Sequence, residues 1–157
     1  MKCSHSNFLV VGIVLTALAG MAFAEDSKDE AIKKERKQIE GVWRAVALEV
    51  GGNKAMEEDA RKITVIIGAD GSWSLNAEDK EVSQGASTLD PGKKPKAIDF
   101  TVTVGDGKGE QSLGIYEVTE NTLKFCVGPS GKGRPNDFSS ASGSEQILIT
   151  LERVKAK

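Results

Sequence analysis

Between Gly41 and Arg153 the chain alternates apolar and polar residues with a period of two, in eight short runs separated by turn-forming links. That period belongs to strands with one buried face, because successive side chains of a strand point to opposite sides. The runs cover residues 43–50, 63–68, 72–76, 81–88, 97–104, 111–118, 122–127 and 145–153. The clearest sets Ile98, Phe100, Val102 and Val104 against Ala97, Asp99, Thr101 and Thr103. Another sets Ile147, Ile149 and Leu151 against Leu148, Thr150 and Glu152. Eight antiparallel strands can close on themselves and leave no exposed edge. The predicted fold class is all-β, an eight-stranded up-and-down antiparallel barrel.

The links set the two ends of that barrel. Asp70-Gly71 is a hairpin turn signal, and residues 105–109 and 119–121 are short and turn-rich, so neighbouring strands join directly. Residues 51–62 and 128–144 are longer. In the first, Asn53 is placed to cap a helix in which Met56 and Ala60 share a face. Links after the first, third, fifth and seventh strands lie at one end of an up-and-down barrel. Both long links therefore fall at one end, the expected mouth, with residues 54–61 as a lid and 128–144 as a flexible loop. Trp43 and Arg153 meet at the closed end, where a guanidinium can stack on an indole and exclude water. Lys93, Lys94 and Lys96 belong to that closed end too, so they do not steer a ligand inward.

Ahead of the barrel, Lys2, the apolar run from Phe8 to Ala19 and Ala22-Phe23-Ala24 form the pattern of a secretory signal with an A-x-A cleavage site. The run is too short and too promptly followed by that site to favour a retained membrane anchor. The expected organisation is a signal peptide over 1–24, a charged N-terminal helix or linker over 25–40, and a barrel domain over 41–157. The expected location is exported, periplasmic or extracellular. In the charged segment, Ser27-Lys28-Asp29-Glu30 fits a capping box, and Asp29 with Lys33 and Glu30 with Lys34 stand at helical spacing. A short helix results, with Ile32 and Ile39 on one face to dock on the barrel end; a solvated tail is the alternative for its first half.

Cleavage removes Cys3, His5 and Lys2. Cys126 is then the sole thiol, so no intrachain disulfide can form. The absence of any other histidine excludes Ser-His-Asp and Cys-His catalysis and His-ligated zinc. The formal charge, −2 for the whole chain, becomes one unit more negative and points to neither nucleic acid nor an anionic membrane.

Gly41-Val42-Trp43 with Arg153 resembles the lipocalin pattern of a first-strand Trp under a last-strand Arg. Leu89-Asp90-Pro91, Lys93-Lys94-Pro95-Lys96-Ala97-Ile98-Asp99, Leu113-Gly114-Ile115-Tyr116-Glu117, Leu123-Lys124-Phe125-Cys126, Gly133-Arg134-Pro135 and Phe138-Ser139-Ser140 extend the likeness. Together these resemble an uncharacterised lipocalin-like domain family found mainly in planctomycete bacteria. The resemblance implies an exported lipocalin-like barrel and carries no substrate or catalytic residue. Asn136-Asp137 departs from the Thr-Glu pair expected there.

No side-chain set stands out as catalytic. Cys126 shares a strand face with Lys124, which would favour a thiolate, yet no histidine activates it; a packed structural thiol is the plainer reading. That face is either in solvent or packed under the N-terminal helix. Residues 128–134 have glycines and a lysine, but Gly133 stands where a phosphate loop needs Ser or Thr. Glu49 and Glu117 share alternation faces with Ala47 and Ile115, so each either points inward to orient a ligand or is turned outward by a bulge. The expected function is non-enzymatic binding of a small apolar or amphipathic ligand in the barrel. The ligand-binding candidates are Ile67, Phe100, Val102, Phe125, Glu49, Glu117 and Met56, with Trp43 and Arg153 as structural closure. No cofactor, metal or stable membrane anchor is expected. The alternative is an interaction or structural module of the cell envelope with a filled barrel.

Overall fold

The computed structural model describes residues 19–155, with side chains from Ala24 onward. Most of the expected signal lies outside the described residues. Helix α1 (Ala19–Ile39) leads into strand β1 (Gly41–Val50), followed by the two-residue strand β2 (Asn53–Lys54) and the single-turn helix α2 (Glu57–Ala60). Then come β3 (Ile63–Ile67), β4 (Ser72–Ala77), β5 (Lys80–Asp90), β6 (Ala97–Gly105), β7 (Gln111–Val118), β8 (Thr122–Val127) and β9 (Ile147–Arg153). From β3 on, each strand pairs antiparallel with the next, and β1 pairs with both β3 and β9. The result is the expected closed eight-stranded antiparallel barrel, lipocalin-like in form, with β2 only a short return on β1. The eight sequence runs match the eight barrel strands to within two residues at each end.

A helix does precede the barrel, but it begins earlier than the capping box. Ser27 is inside α1 and its hydroxyl donates to the Ala24 carbonyl at 2.9 Å. The alanines upstream are strong helix formers, so the helix runs through Ser27 instead of starting there. Ion pairing uses Glu30 and Lys33 at i,i+3, 2.9 Å apart, in place of the expected i,i+4 pairs. Ile39 is fully buried in the barrel core and Ile32 is half-buried, so α1 lies across one end as its apolar spacing requires.

The long link 51–62 corrects a second expectation. Gly51 and Gly52 both have positive φ, 54° and 85°, and return the chain in a tight hairpin. A Cβ on Gly52 would stand 2.9 Å from the Ser142 nitrogen, so only glycine fits there. Asn53 consequently pairs with Val50 instead of capping a helix. Helix α2 starts after Met56, which supplies no side-chain cap. Met56 is 65% exposed while Ala60 is fully buried in the core, so the two do not share a buried face.

Residues 128–146 do not hang over the mouth. They fold back along the outer face of β6, β7 and β8. Arg134 Nη1 donates to Asp99 Oδ1 at 2.6 Å and to the Gly114 carbonyl at 2.7 Å, and Cys126 Sγ lies 3.2 Å from the Ser139 carbonyl. Between this strap and the strands, Ala97, Ile115, Cys126 and the strap's own Pro135 are buried on the outside of the barrel, a second apolar layer distinct from the interior core.

Candidate functional site

Trp43 and Arg153 are the closure that their positions predicted. Strand pairing places them opposite each other, and the guanidinium carbon lies 4.1 Å from the indole centroid. The same guanidinium donates to the carbonyls of Gln38, Glu40 and Glu120 at 2.7 to 2.8 Å, and Trp43 Nε1 donates to the Ile39 carbonyl at 2.8 Å. The bonds to Gln38, Ile39 and Glu40 satisfy carbonyls left without partners at and just past the C-terminus of α1, and the bond to Glu120 ties in the 119–121 link. The pair therefore fastens the helix to the barrel as well as sealing it.

Two further polar anchors hold α1, and sequence reading missed both. Glu35 is buried; its carboxylate accepts from Lys96 Nζ at 2.6 Å and from the Tyr116 hydroxyl at 3.0 Å. Arg36 donates to the Ser87 hydroxyl at 2.8 Å and to the Ser87 carbonyl. Burial, reinforced by the Glu35 carboxylate, pushes the Tyr116 phenol far above its ordinary range. Glu35 and Arg36 stand three and four residues after Ile32, on the helix face that Ile32 and Ile39 define. That spacing was the available signal, but charged residues are read as solvated unless a partner is known.

Above this sealed end the interior is filled by an aromatic ladder. The Trp73 and Phe100 rings meet edge to face with centroids 5.8 Å apart, and Phe100 meets Phe125 in the same way at 5.4 Å. Trp73 Nε1 donates to the Ala86 carbonyl at 3.0 Å. Gly85 makes room for the ladder, since a Cβ there would lie 2.8 Å from the Trp73 ring and 1.9 Å from the Thr101 carbonyl oxygen.

Burial of most inward side chains falls from one end to the other; Val118, half-buried beside the sealed-end 119–121 link, is the exception. Trp43, Ile98, Tyr116, Leu123 and Leu151, nearest α1, are at most 1% exposed. Leu48, Ile63, Leu75, Phe100, Val102 and Val127 are half-buried, and Val50 and Ile147, paired at the rim, are each 41% exposed. The open end thus presents a shallow cup of partly exposed apolar side chains with Phe100 below them.

The expected ligand candidates separate on this geometry. Phe100 and Val102 are in the cup, and Phe125 lies just below it at 3% exposure. Ile67 pairs with Gly41 at the sealed end and is buried away from the mouth. Glu49 is turned outward by a bulge between Ala45 and Ala47, which shifts the register so that Leu48, not Glu49, faces the core opposite Ile149. Glu117 also faces out, 3.2 Å from Lys124. Met56 is exposed in the 51–62 link, and Val104, at 50% exposure, is not part of the buried face its alternation predicted. Leu48, Leu75, Val127 and Ile147 belong to the cup, Trp73 contacts Phe100 beneath it, and none of them was singled out. Trp73 and Leu75 do alternate in sequence, and that was the signal for their shared face.

Cys126 is packed under the 128–146 strap, and burial raises its thiol pKa. Lys124, whose charge would favour a thiolate, is engaged by Glu117 and lies 5.6 Å from the Phe138 ring centroid. Among the described residues no group of His, Cys, Asp or Glu is arranged to hold a metal, and no helix is long and apolar enough to cross a membrane. Surface depressions of about 640 and 560 Å³ flank α1 outside the barrel, but their linings include Lys33, Lys34, Lys37 and Lys155 and no aromatic side chain. Such linings do not suit an apolar ligand. Comparison of the chain with protein-family models, with curated proteins and with solved structures finds no match to any of the three.

Proposed function

We propose that this chain is an exported, non-catalytic, lipocalin-like binding protein that takes a small apolar or amphipathic molecule at the open end of its barrel. The observation that carries the reading is the gradient of burial along the inward faces. Leu48, Val102, Val127 and Phe100 are apolar yet only half-buried, which leaves apolar surface that a ligand would cover favourably. The aromatic ladder limits depth: a ligand rests on Phe100 and does not pass below it. Export rests on the signal pattern before Glu25, and kinship with the planctomycete lipocalin-like family rests on the motif resemblance.

A second reading, an interaction module with a filled barrel, is favoured by that same ladder, which occupies the interior below the cup. The two part on one experiment. The protein purified from its full-length sequence is titrated with N-phenyl-1-naphthylamine, a neutral apolar fluorophore, beside a Val102→Asp variant. Binding with enhanced emission, lost in the variant at unchanged melting temperature, supports the cup. No enhancement, or equal enhancement in both proteins, favours the filled module.

A further inference from the structure

The four links at the open end, residues 51–62, 78–79, 106–110 and 128–146, have nine acidic residues against six basic ones. The three links at the sealed end, 68–71, 91–96 and 119–121, have two acidic against three basic. Ion pairing sharpens the contrast. Arg61 is held by Glu57 and Lys62 by Asp59, both at 2.7 Å, and Arg134 is held by Asp99 at 2.6 Å under the strap. Glu58, Glu78, Asp79, Asp106, Glu110, Asp137 and Glu145 make no ion pair among the described residues, against only Lys54, Lys108 and Lys132 left as counter-charges. An apolar cup ringed by excess negative charge concentrates cations and repels anions over roughly a Debye length, about 8–10 Å.

We infer that the ligand of the cup is an amphipathic cation, an apolar body bearing an ammonium or quaternary amine head, and not a fatty acid or other amphipathic anion. The inference rests on the apolar-cup reading and names its ligand class. The apolar body lies on the half-buried faces of Leu48, Val102 and Val127, and the head stays at the rim among the carboxylates. Three of those carboxylates are placed in an unusual way. Glu78, Asp79 and Glu145 have positive φ, 51°, 63° and 56°, a conformation that asparagine adopts more readily than glutamate. Asparagine at these positions therefore removes charge without disturbing the turns.

The test is calorimetric titration of the protein, expressed from its full-length sequence, with dodecyltrimethylammonium, dodecanoate and neutral dodecanol below their micellar concentrations. Dodecyltrimethylammonium is expected to bind at least ~5-fold more tightly than dodecanoate at low salt, with the preference shrinking at high salt. The Glu78→Asn, Asp79→Asn, Glu145→Asn triple variant should lose most of the preference, keep dodecanol binding, and melt no lower than the parent. Should the triple variant fail to fold, Asp79→Asn alone and the salt series on the parent carry the same comparison. Equal or tighter dodecanoate binding overturns the cationic class and leaves the cup standing. A preference unaffected by salt and by the variants overturns the rim as its source. Failure of all three amphiphiles to bind overturns the cup itself.

Discussion

At the scale of single residues, Trp43 and Tyr116 show how much of the sealed end rests on a few side chains. Trp43 is fully buried, and its loss removes both a large apolar volume and the donor to the Ile39 carbonyl. Trp43→Ala is expected to lower stability by about 3–5 kcal/mol, read from urea unfolding; a change under about 1 kcal/mol would contradict the packing described. Arg153→Lys keeps the charge but not the planar fork that reaches three carbonyls, and should cost about 1–2 kcal/mol in the same assay. Tyr116 ties stability to alkaline pH. Its phenol stays protonated in the folded barrel, because it is buried beside Glu35, while the unfolded phenol ionises near its reference pKa of about 10. The unfolded state then binds fewer protons than the folded one. Tyr116 therefore contributes its full stability below about pH 10 and loses it above, at up to about 1.4 kcal/mol per pH unit. Tyr116→Phe, the replacement of the chain's single tyrosine, should be less stable at neutral pH because Glu35 loses a donor. Its stability should also fall less steeply above pH 10. Parallel alkaline profiles for the two proteins would refute this account.

At the scale of elements, the C-terminal part of α1 packs into the end of the barrel. Ile39, Glu35 and Arg36 together satisfy or cover Trp43, Tyr116, Lys96 and Ser87. A chain beginning at Glu40 loses the burial of Ile39, about 2 kcal/mol, and leaves several polar groups without partners at about 1–3 kcal/mol each. It should melt well below the chain that begins at Glu25, or fail to fold cooperatively; equal melting by circular dichroism would show α1 to be dispensable. The strands were legible because each has one wet and one dry face, and period two records that directly. What was not legible depended on contacts far apart in sequence. The bulge after Ala45, which decides that Leu48 and not Glu49 faces inward, comes from the pairing with β9. The strap over Cys126 depends on Arg134 meeting Asp99, thirty-five residues away. Local reading gave residues 128–144 glycines and serines and therefore a flexible loop, whereas Arg134, Ser139 and the buried Ser140 fix its course.

At the scale of the whole molecule, the barrel is polar in its organisation: a helix fastened by buried hydrogen bonds at one end, an aromatic floor in the middle, and an apolar cup with an acidic rim at the other. Parity of the links fixed which end is which, since it needs only the strand count. The depth of the cup was not deducible, because it depends on the edge-to-face contacts of Trp73, Phe100 and Phe125 across three strands. Among the described residues there is no histidine, and burial raises the thiol pKa of Cys126. The most direct measurement is a methyl-resolved NMR titration of the protein with N-phenyl-1-naphthylamine. The account predicts saturable shifts at Leu48, Leu75, Val102, Val127 and Ile147, with Leu123, Leu151 and Ile98 at the sealed end unmoved. Shifts centred on the sealed end, on the outward Val42 and Ile66, or on no methyl at all would contradict it.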